Sequence, residues 1–202
     1  MKKQLILTCV LVFYSIGCRS EYEAHNGDII FQTSLSRQSI AIQQATNSKY
    51  SHVGIVYLKN NNAFVYEAVE PVKLTPLKKW IAQGKGKHFS VKRLANAENI
   101  LTEKAVQRLL QVGKIFEGKQ YDLYFEWSDE TIYCSELVWK IYKRALNIEV
   151  GNLQKMDEFN FSDPLVQQKV HERFGDSLPE DEIVISPAAI FSSNNLVTIY
   201  EQ

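Results

Sequence analysis

Ser51-His52-Val53-Gly54-Ile55-Val56-Tyr57-Leu58 and Ala63-Phe64-Val65-Tyr66-Glu67-Ala68-Val69, joined by Lys59-Asn60-Asn61-Asn62, decide how this chain folds. Both runs are rich in β-branched and aromatic residues, and Asn tolerates positive φ, so the stretch predicts a β-hairpin. If Asn60 and Asn61 form a two-residue loop, Lys59 faces Asn62, Gly54 faces Glu67 and His52 faces Val69. Glu67 then shares a face with His52 as its diagonal neighbour, roughly 7–8 Å away at the backbone. Gly54 leaves room between them. An odd-length loop would turn Glu67 to the opposite face. A carboxylate in so apolar a strand needs a partner, unless that face meets solvent.

A second decisive stretch is Tyr133-Cys134-Ser135-Glu136-Leu137-Val138-Trp139. An aromatic loop, Thr131-Ile132-Tyr133, runs into a helical stripe of Leu137, Val138, Ile141, Tyr142 and Ala145. Cys134 therefore stands in the first helical turn, where unpaired N–H groups and the helix dipole favour a thiolate. A nucleophilic cysteine needs an imidazole and a group to orient it. His25, His88 and His171 fall in surface contexts, which leaves His52, with Glu67 beside it.

Around these stretches the pattern is mixed. Gly27-Asp28-Ile29-Ile30-Phe31 reads as a strand, and Ser36 caps a helix through Ala45. Thr75-Pro76 reads as a cap with Pro at the first helical position, opening a short helix that Gly84 ends. Phe89 to Leu94 is a strand, and Thr102 caps a helix to about Phe116 with Val106, Leu109, Leu110 and Gly113 inward. Ser162 or Asp163 begins a helix ended by Gly175, and strands recur at Ile183 to Ile185 and Leu196 to Tyr200. The fold class is α+β, with helices against a mostly antiparallel sheet. The long polar segment from Gly151 to Glu182 is placed to cover a cleft.

The chain has 202 residues, 45% hydrophobic and 23% charged, as a single globular domain would. Lys plus Arg equals Asp plus Glu at 23 each, which offers no electrostatic basis for a nucleic-acid partner. Lys2 and Lys3, the apolar run Leu5 to Ile16 and Gly17-Cys18 have the layout of a signal peptide ending in a lipobox cysteine, with Ser15 where such boxes usually have Leu. The expectation is an exported protein anchored to the cell-envelope membrane through Cys18, then a linker over 19–26 and a domain over 27–202. Simple signal cleavage is the alternative. With Cys9 in the leader and Cys18 lipidated, Cys134 is the mature chain's one thiol and has no disulfide partner. His-x-His, Cys-x-x-Cys and His-Glu-x-x-His spacings are absent, as is a Gly-rich phosphate loop, so no metal or other cofactor is expected.

Gly27-Asp28-Ile29-Ile30-Phe31, Tyr50-Ser51-His52-Val53-Gly54-Ile55-Val56, Glu67-Ala68, Thr75-Pro76-Leu77, Tyr133-Cys134-Ser135-Glu136-Leu137-Val138 and the closing Ile185-Ser186-Pro187 and Ile199-Tyr200 together resemble the YiiX-like permuted papain family of NlpC-type cysteine hydrolases. The order His52, Glu67, Cys134 is that of the circularly permuted branch. The resemblance implies a permuted papain-like fold, a Cys134–His52–Glu67 triad, and hydrolysis or transfer at an amide or ester carbonyl; the expected substrate is a small peptide, amino-acid or acyl-lipid, with export making cell-wall peptides the first guess. Backbone N–H groups at the start of the Cys134 helix would stabilise the oxyanion. Tyr133, Asp28 and Ser51 are candidates for lining the substrate, and Asp122 for capping its loop. The competing readings are a lipid acyltransferase or thioesterase on the same residues and a non-catalytic envelope lipoprotein that binds a peptide or lipid.

Overall fold

The structure, a computed structural model, describes residues 21–202. The leader, Cys9 and Cys18 lie outside the described residues. In chain order the elements are β1 (Ile29–Gln32), α1 (Arg37–Thr46), β2 (His52–Lys59), β3 (Asn62–Glu67), β4 (Lys73–Pro76), α2 (Leu77–Gln83), β5 (Phe89–Leu94), α3 (Ala97–Ile100), α4 (Glu103–Lys114), α5 (Cys134–Leu146), β6 (Gln154–Lys155), α6 (Pro164–Phe174), β7 (Ile183–Val184), α7 (Pro187–Phe191) and β8 (Leu196–Glu201). Six strands form one antiparallel sheet in the order β4-β3-β2-β1-β5-β8, and β6 and β7 form a separate ribbon. The fold is α+β, helices against an antiparallel sheet.

Alternation along the strands gives the sheet two buried faces. Ile29, Phe31, Val53, Ile55 and Tyr57 point to the side covered by α5, where Leu137, Val138, Ile141 and Tyr142 are buried. Ile30, Val56, Val65 and Val91 point to the other side, under Trp80 of α2. Burial on both faces explains why β2 reads as an almost unbroken apolar run.

The β2–β3 hairpin pairs Lys59 with Asn62 and Ile55 with Tyr66. Asn60 and Asn61 are the two loop residues, at φ 51° and 60°. Positive φ at both is the type I′ turn that matches strand twist. Continuing the register sets Gly54 opposite Glu67. A Cβ on Gly54 would lie 2.4 Å from Val65 Cγ1 and 2.8 Å from the Tyr66 carbonyl oxygen. Only a residue without a side chain lets the two strands approach so closely.

Helix starts follow local capping chemistry. Ser36 accepts from Ser39 N–H, Thr102 from Ala105 N–H and Asp163 from Leu165 N–H. The loop before α5 is tied down by charge. Lys140 pairs with Glu136 at 2.7 Å and Asp129 at 2.9 Å, and Arg144 grips Asp129 through two bonds. Asp122 Oδ1 accepts from Tyr124 N–H, capping its own turn.

Several expectations are corrected. Thr75 caps no helix: it lies in β4, α2 starts at Leu77, and the Thr75 hydroxyl is committed to Glu67 instead. Segment 19–26 is not a free linker in its described part, because Tyr22 packs against Phe89 and Tyr200 and donates to Asp28. On α4 the fully buried residues are Ala105, Leu109 and Gly113, with Val106 and Leu110 only partly covered. The strand β4 and the helices α3 and α7 are short, below the length at which periodicity carries a signal.

Substituting Gly54→Ala is expected to destabilise the protein by about 1–3 kcal/mol, the usual scale for overpacking a close contact. Urea unfolding measures it; an unchanged midpoint would show that the hairpin tolerates the added carbon.

Candidate active site

Glu67 ends β3 deep in the protein, its side chain 3% exposed. Oε2 lies 2.5 Å from His52 Nε2 and accepts from Trp80 Nε1 at 2.8 Å, while Oε1 accepts from the Thr75 hydroxyl at 2.6 Å. Three donors from β2, α2 and β4 thus satisfy one carboxylate. Burial alone would raise its pKa, but the hydrogen bond and charge of His52, with Thr75 and Trp80, bring it below the ordinary value.

His52 opens β2, where its ring stacks on Trp80 with centroids 5.9 Å apart. With Nε2 held by Glu67, Nδ1 is the nitrogen left for Cys134. Burial works against the imidazolium; hydrogen bonding to Cys134 and Glu67 and the charge of both overcome it and raise the pKa to about 10. Cys134 shows the complementary balance. Burial opposes its thiolate, yet hydrogen bonding and charge from His52, then the N–H groups of Val53 and Ser135, lower its pKa. The structure therefore brings Cys134, His52 and Glu67 into one connected chain, with the thiolate and imidazolium forms favoured together.

Helix α5 positions the sulfur. Cys134 is its first residue and is 2% exposed, and the Ser135 hydroxyl anchors the same turn to the Ile185 carbonyl. Tyr133 lies immediately before, buried, and its hydroxyl accepts from Ile185 N–H. Tyr121, which sequence reasoning passed over, lines the same cavity as Cys134, and Cys134 adds to the burial that raises the pKa of its hydroxyl. A backbone bridge between Tyr121 and Ile132 carries it there. No periodic pattern marks this loop, so nothing local to the sequence singles Tyr121 out. Trp80 and Thr75 were missed as site residues for a similar reason, since their partner is remote in sequence.

Two cavities meet at this centre. One is apolar and runs from Cys134 between α1 and α6, with Ala41, Ile42, Tyr133, Val166 and Val170 in its walls. The other is polar and opens beside His52, lined by Gln32, Ser34, Ser39, Ser51 and Glu67. Tyr121 borders both. Tyr133 thus lines the apolar cavity and Ser51 the polar one, where its hydroxyl bonds Ser39 and Ser34 N–H. Asp28 lines neither. It is fully buried and holds Arg93 through two bonds, with Tyr22 and His25 N–H as further donors, so it is a structural staple rather than a substrate contact. Of the segment from 151 to 182, α6 forms one wall of the apolar cavity.

These shifts set a pH response. Above its lowered pKa Cys134 is a thiolate, and below about 10 His52 is an imidazolium, so the pair is charged between those limits. Iodoacetamide is expected to alkylate Cys134 with a midpoint below the roughly 8.5 of a free thiol. Glu67→Gln withdraws charge from His52 and should move that midpoint upward. Rates followed across pH by intact mass check both, and a Glu67→Gln midpoint at or below that of the parent would contradict the linkage.

A family model described as permuted papain-like amidase enzyme, YaeF/YiiX, C92 family, matches residues 23–200. The chain is 45% identical over 202 residues to YiiX of Escherichia coli K12, covering all of this chain and 97% of that protein. A crystal structure described as metalloprotein YiiX, from Escherichia coli O157:H7, superposes with a TM-score of 0.85 at 48% identity, covering 90% of this chain and 99% of the other. The fold is accordingly the permuted papain-like one, in which the histidine strand precedes the cysteine helix, and the chain belongs to the YaeF/YiiX family of permuted papain-like amidases.

Proposed function

We propose that the protein is an exported cysteine hydrolase that cleaves an amide or ester bond through Cys134, His52 and Glu67. The observation that carries this reading is a fully satisfied Glu67 hydrogen-bonded to His52, with His52 and Cys134, at the first turn of a helix, favouring each other's charged forms. Family membership supports hydrolysis in general.

The thiolate attacks the substrate carbonyl to give a tetrahedral oxyanion, faced by N–H groups at the start of α5. His52, held by Glu67, gives its proton to the leaving amine or alcohol as the carbon–heteroatom bond breaks, leaving a thioester on Cys134. Water, deprotonated by His52, then attacks the thioester, releasing a carboxylic acid and restoring the pair. His52 opens on the polar cavity, which fits departure of the leaving group and entry of water by that side.

The apolar cavity at Cys134 favours an acyl group with substantial hydrocarbon character over a polar peptide. That feature also fits a second reading, acyl transfer or thioester cleavage on lipid, which shares every step but the acceptor. Export and anchoring through Cys18 belong to the same proposal and rest on residues 1–18 of the sequence. Among the described residues no helix is long and apolar enough to cross a membrane.

The related YiiX structure is described as a metalloprotein. Here, among the described residues, no group of three or more His, Cys, Asp and Glu side chains is placed to hold a metal ion. Glu67 is moreover saturated by three donors. The donor set does not fit a resident metal, and the steps above use none.

Incubating the mature chain with acyl esters and N-acyl amino acids, followed by intact mass, is expected to reveal an acyl adduct on Cys134. Cys134→Ala should abolish the adduct and cut turnover by about a thousandfold or more, the scale of losing a catalytic nucleophile. Turnover by Cys134→Ala at the parent rate would overturn the proposal.

A further inference from the structure

Helix α6 turns one face to the apolar cavity at Cys134, and Val166, Lys169, Val170 and Arg173 line it at helical spacing. The two cations on this face differ. Lys169 is already engaged by Glu172 one turn away. Arg173 is half-buried, and its guanidinium lies over the Phe125 ring, 5.2 Å from the centroid. Among the described residues no hydrogen bond to a carboxylate is seen for it, and the charges of Glu172 and Asp122 act on it through space. It shares the lining of the apolar cavity with Tyr121 and Cys134, so its charge and the reacting sulfur face one space.

A half-buried cation without a hydrogen-bonded counter-ion is an unusual feature in a wall this apolar. Burial presses against its charge. Phe125 lies against the guanidinium, whose edge carries parallel N–H donors that suit an oxyanion. A positive charge on a planar fork of N–H donors matches a carboxylate. The polar cavity, which Tyr121 also borders, has no Lys or Arg in its lining, so charge recognition belongs to the α6 side.

We propose that Arg173 is a specificity-determining residue that binds a carboxylate carried by the substrate close to its scissile carbonyl. The substrate class is then an acyl compound with both an apolar portion and a carboxylate near the reacting carbon. This inference rests on the cysteine-hydrolase reading, because it places the anion relative to Cys134.

The test compares alkylation of Cys134 by iodoacetate and by iodoacetamide, reagents that differ in a carboxylate against a neutral amide. The ratio of the two rates can be measured whether the thiol is fast or slow. In the parent protein the iodoacetate-to-iodoacetamide ratio is expected to exceed that of a free thiol peptide. Arg173→Gln should lower it by about tenfold, the scale of one charge-assisted contact, and Arg173→Lys should retain part of it. A merely structural role would change both rates together and leave the ratio alone. Equal ratios in the parent, Arg173→Gln and Arg173→Lys would overturn the inference. Slow alkylation by both reagents, no faster than the peptide, would instead count against the hydrolase reading, while the ratio still reports on Arg173.

Discussion

A single buried carboxylate organises this protein. Glu67 sits among apolar residues, where an unpaired charge would be prohibitive, and it is tolerated because His52, Thr75 and Trp80 each donate to it. Those donors come from β2, β4 and α2, so one side chain couples four consecutive elements of the chain. The close approach of β2 and β3 at Gly54 is part of the same constraint. Shifting the hairpin by one residue would send Glu67 to the α5 side of the sheet and leave three donors and one carboxylate unmatched.

His52 transmits that constraint across the sheet. It touches Trp80 on one side and Cys134 on the other, and its raised pKa and the lowered pKa of Cys134 express one interaction seen from two ends. The cysteine side needs its own rigidity, which the Glu136–Lys140–Asp129–Arg144 chain supplies. Glu136 is fully buried, and burial raises its pKa to about 7 even with Lys140 beside it. Such a group holds the loop that carries Tyr121 against α5, and Tyr121 in turn borders both cavities. Positioning at the site thus depends on two buried carboxylates that never touch each other.

The hairpin and the α5 helix were legible in the sequence because their signals are local. Two asparagines at positive φ define the register, and Leu137, Val138, Ile141, Tyr142 and Ala145 are one helical stripe. His52, Glu67 and Cys134 followed from that register and that helix start. What local reasoning misassigned were residues with good local and better distant uses. Thr75 before Pro76 has every mark of a cap, but its hydroxyl has a carboxylate to satisfy across the sheet. Asp28, next to the first strand, was expected near substrate and instead closes an ion pair with Arg93, 65 residues on. Tyr121 and Trp80 carry aromatic character that suits any core, and only the fold shows which aromatic meets which polar atom. Tyr22 draws part of the expected linker onto the sheet by the same kind of distant contact.

The two cavities also bear on hydrolysis against transfer. On the proposed reading the acyl portion stays on the Cys134 side, in an apolar wall that also carries Lys169 and Arg173, while the proton donor His52 opens on a cavity of serine hydroxyls and glutamine amides. The second nucleophile must approach the thioester where His52 can take its proton, hence through that polar cavity. Its lining offers hydrogen bonds but, apart from His52 and the already saturated Glu67, no charge. Water meets those demands, and so does an alcohol or amine acceptor. The triad geometry is the same for either, so the choice between hydrolysis and transfer is made by what occupies the polar cavity when the leaving group departs. A tightly held acceptor would exclude water there, and a vacated cavity would admit it. On that reading, residues such as Gln32, Ser39 and Ser51, rather than Cys134, His52 or Glu67, would decide which reaction the thioester undergoes.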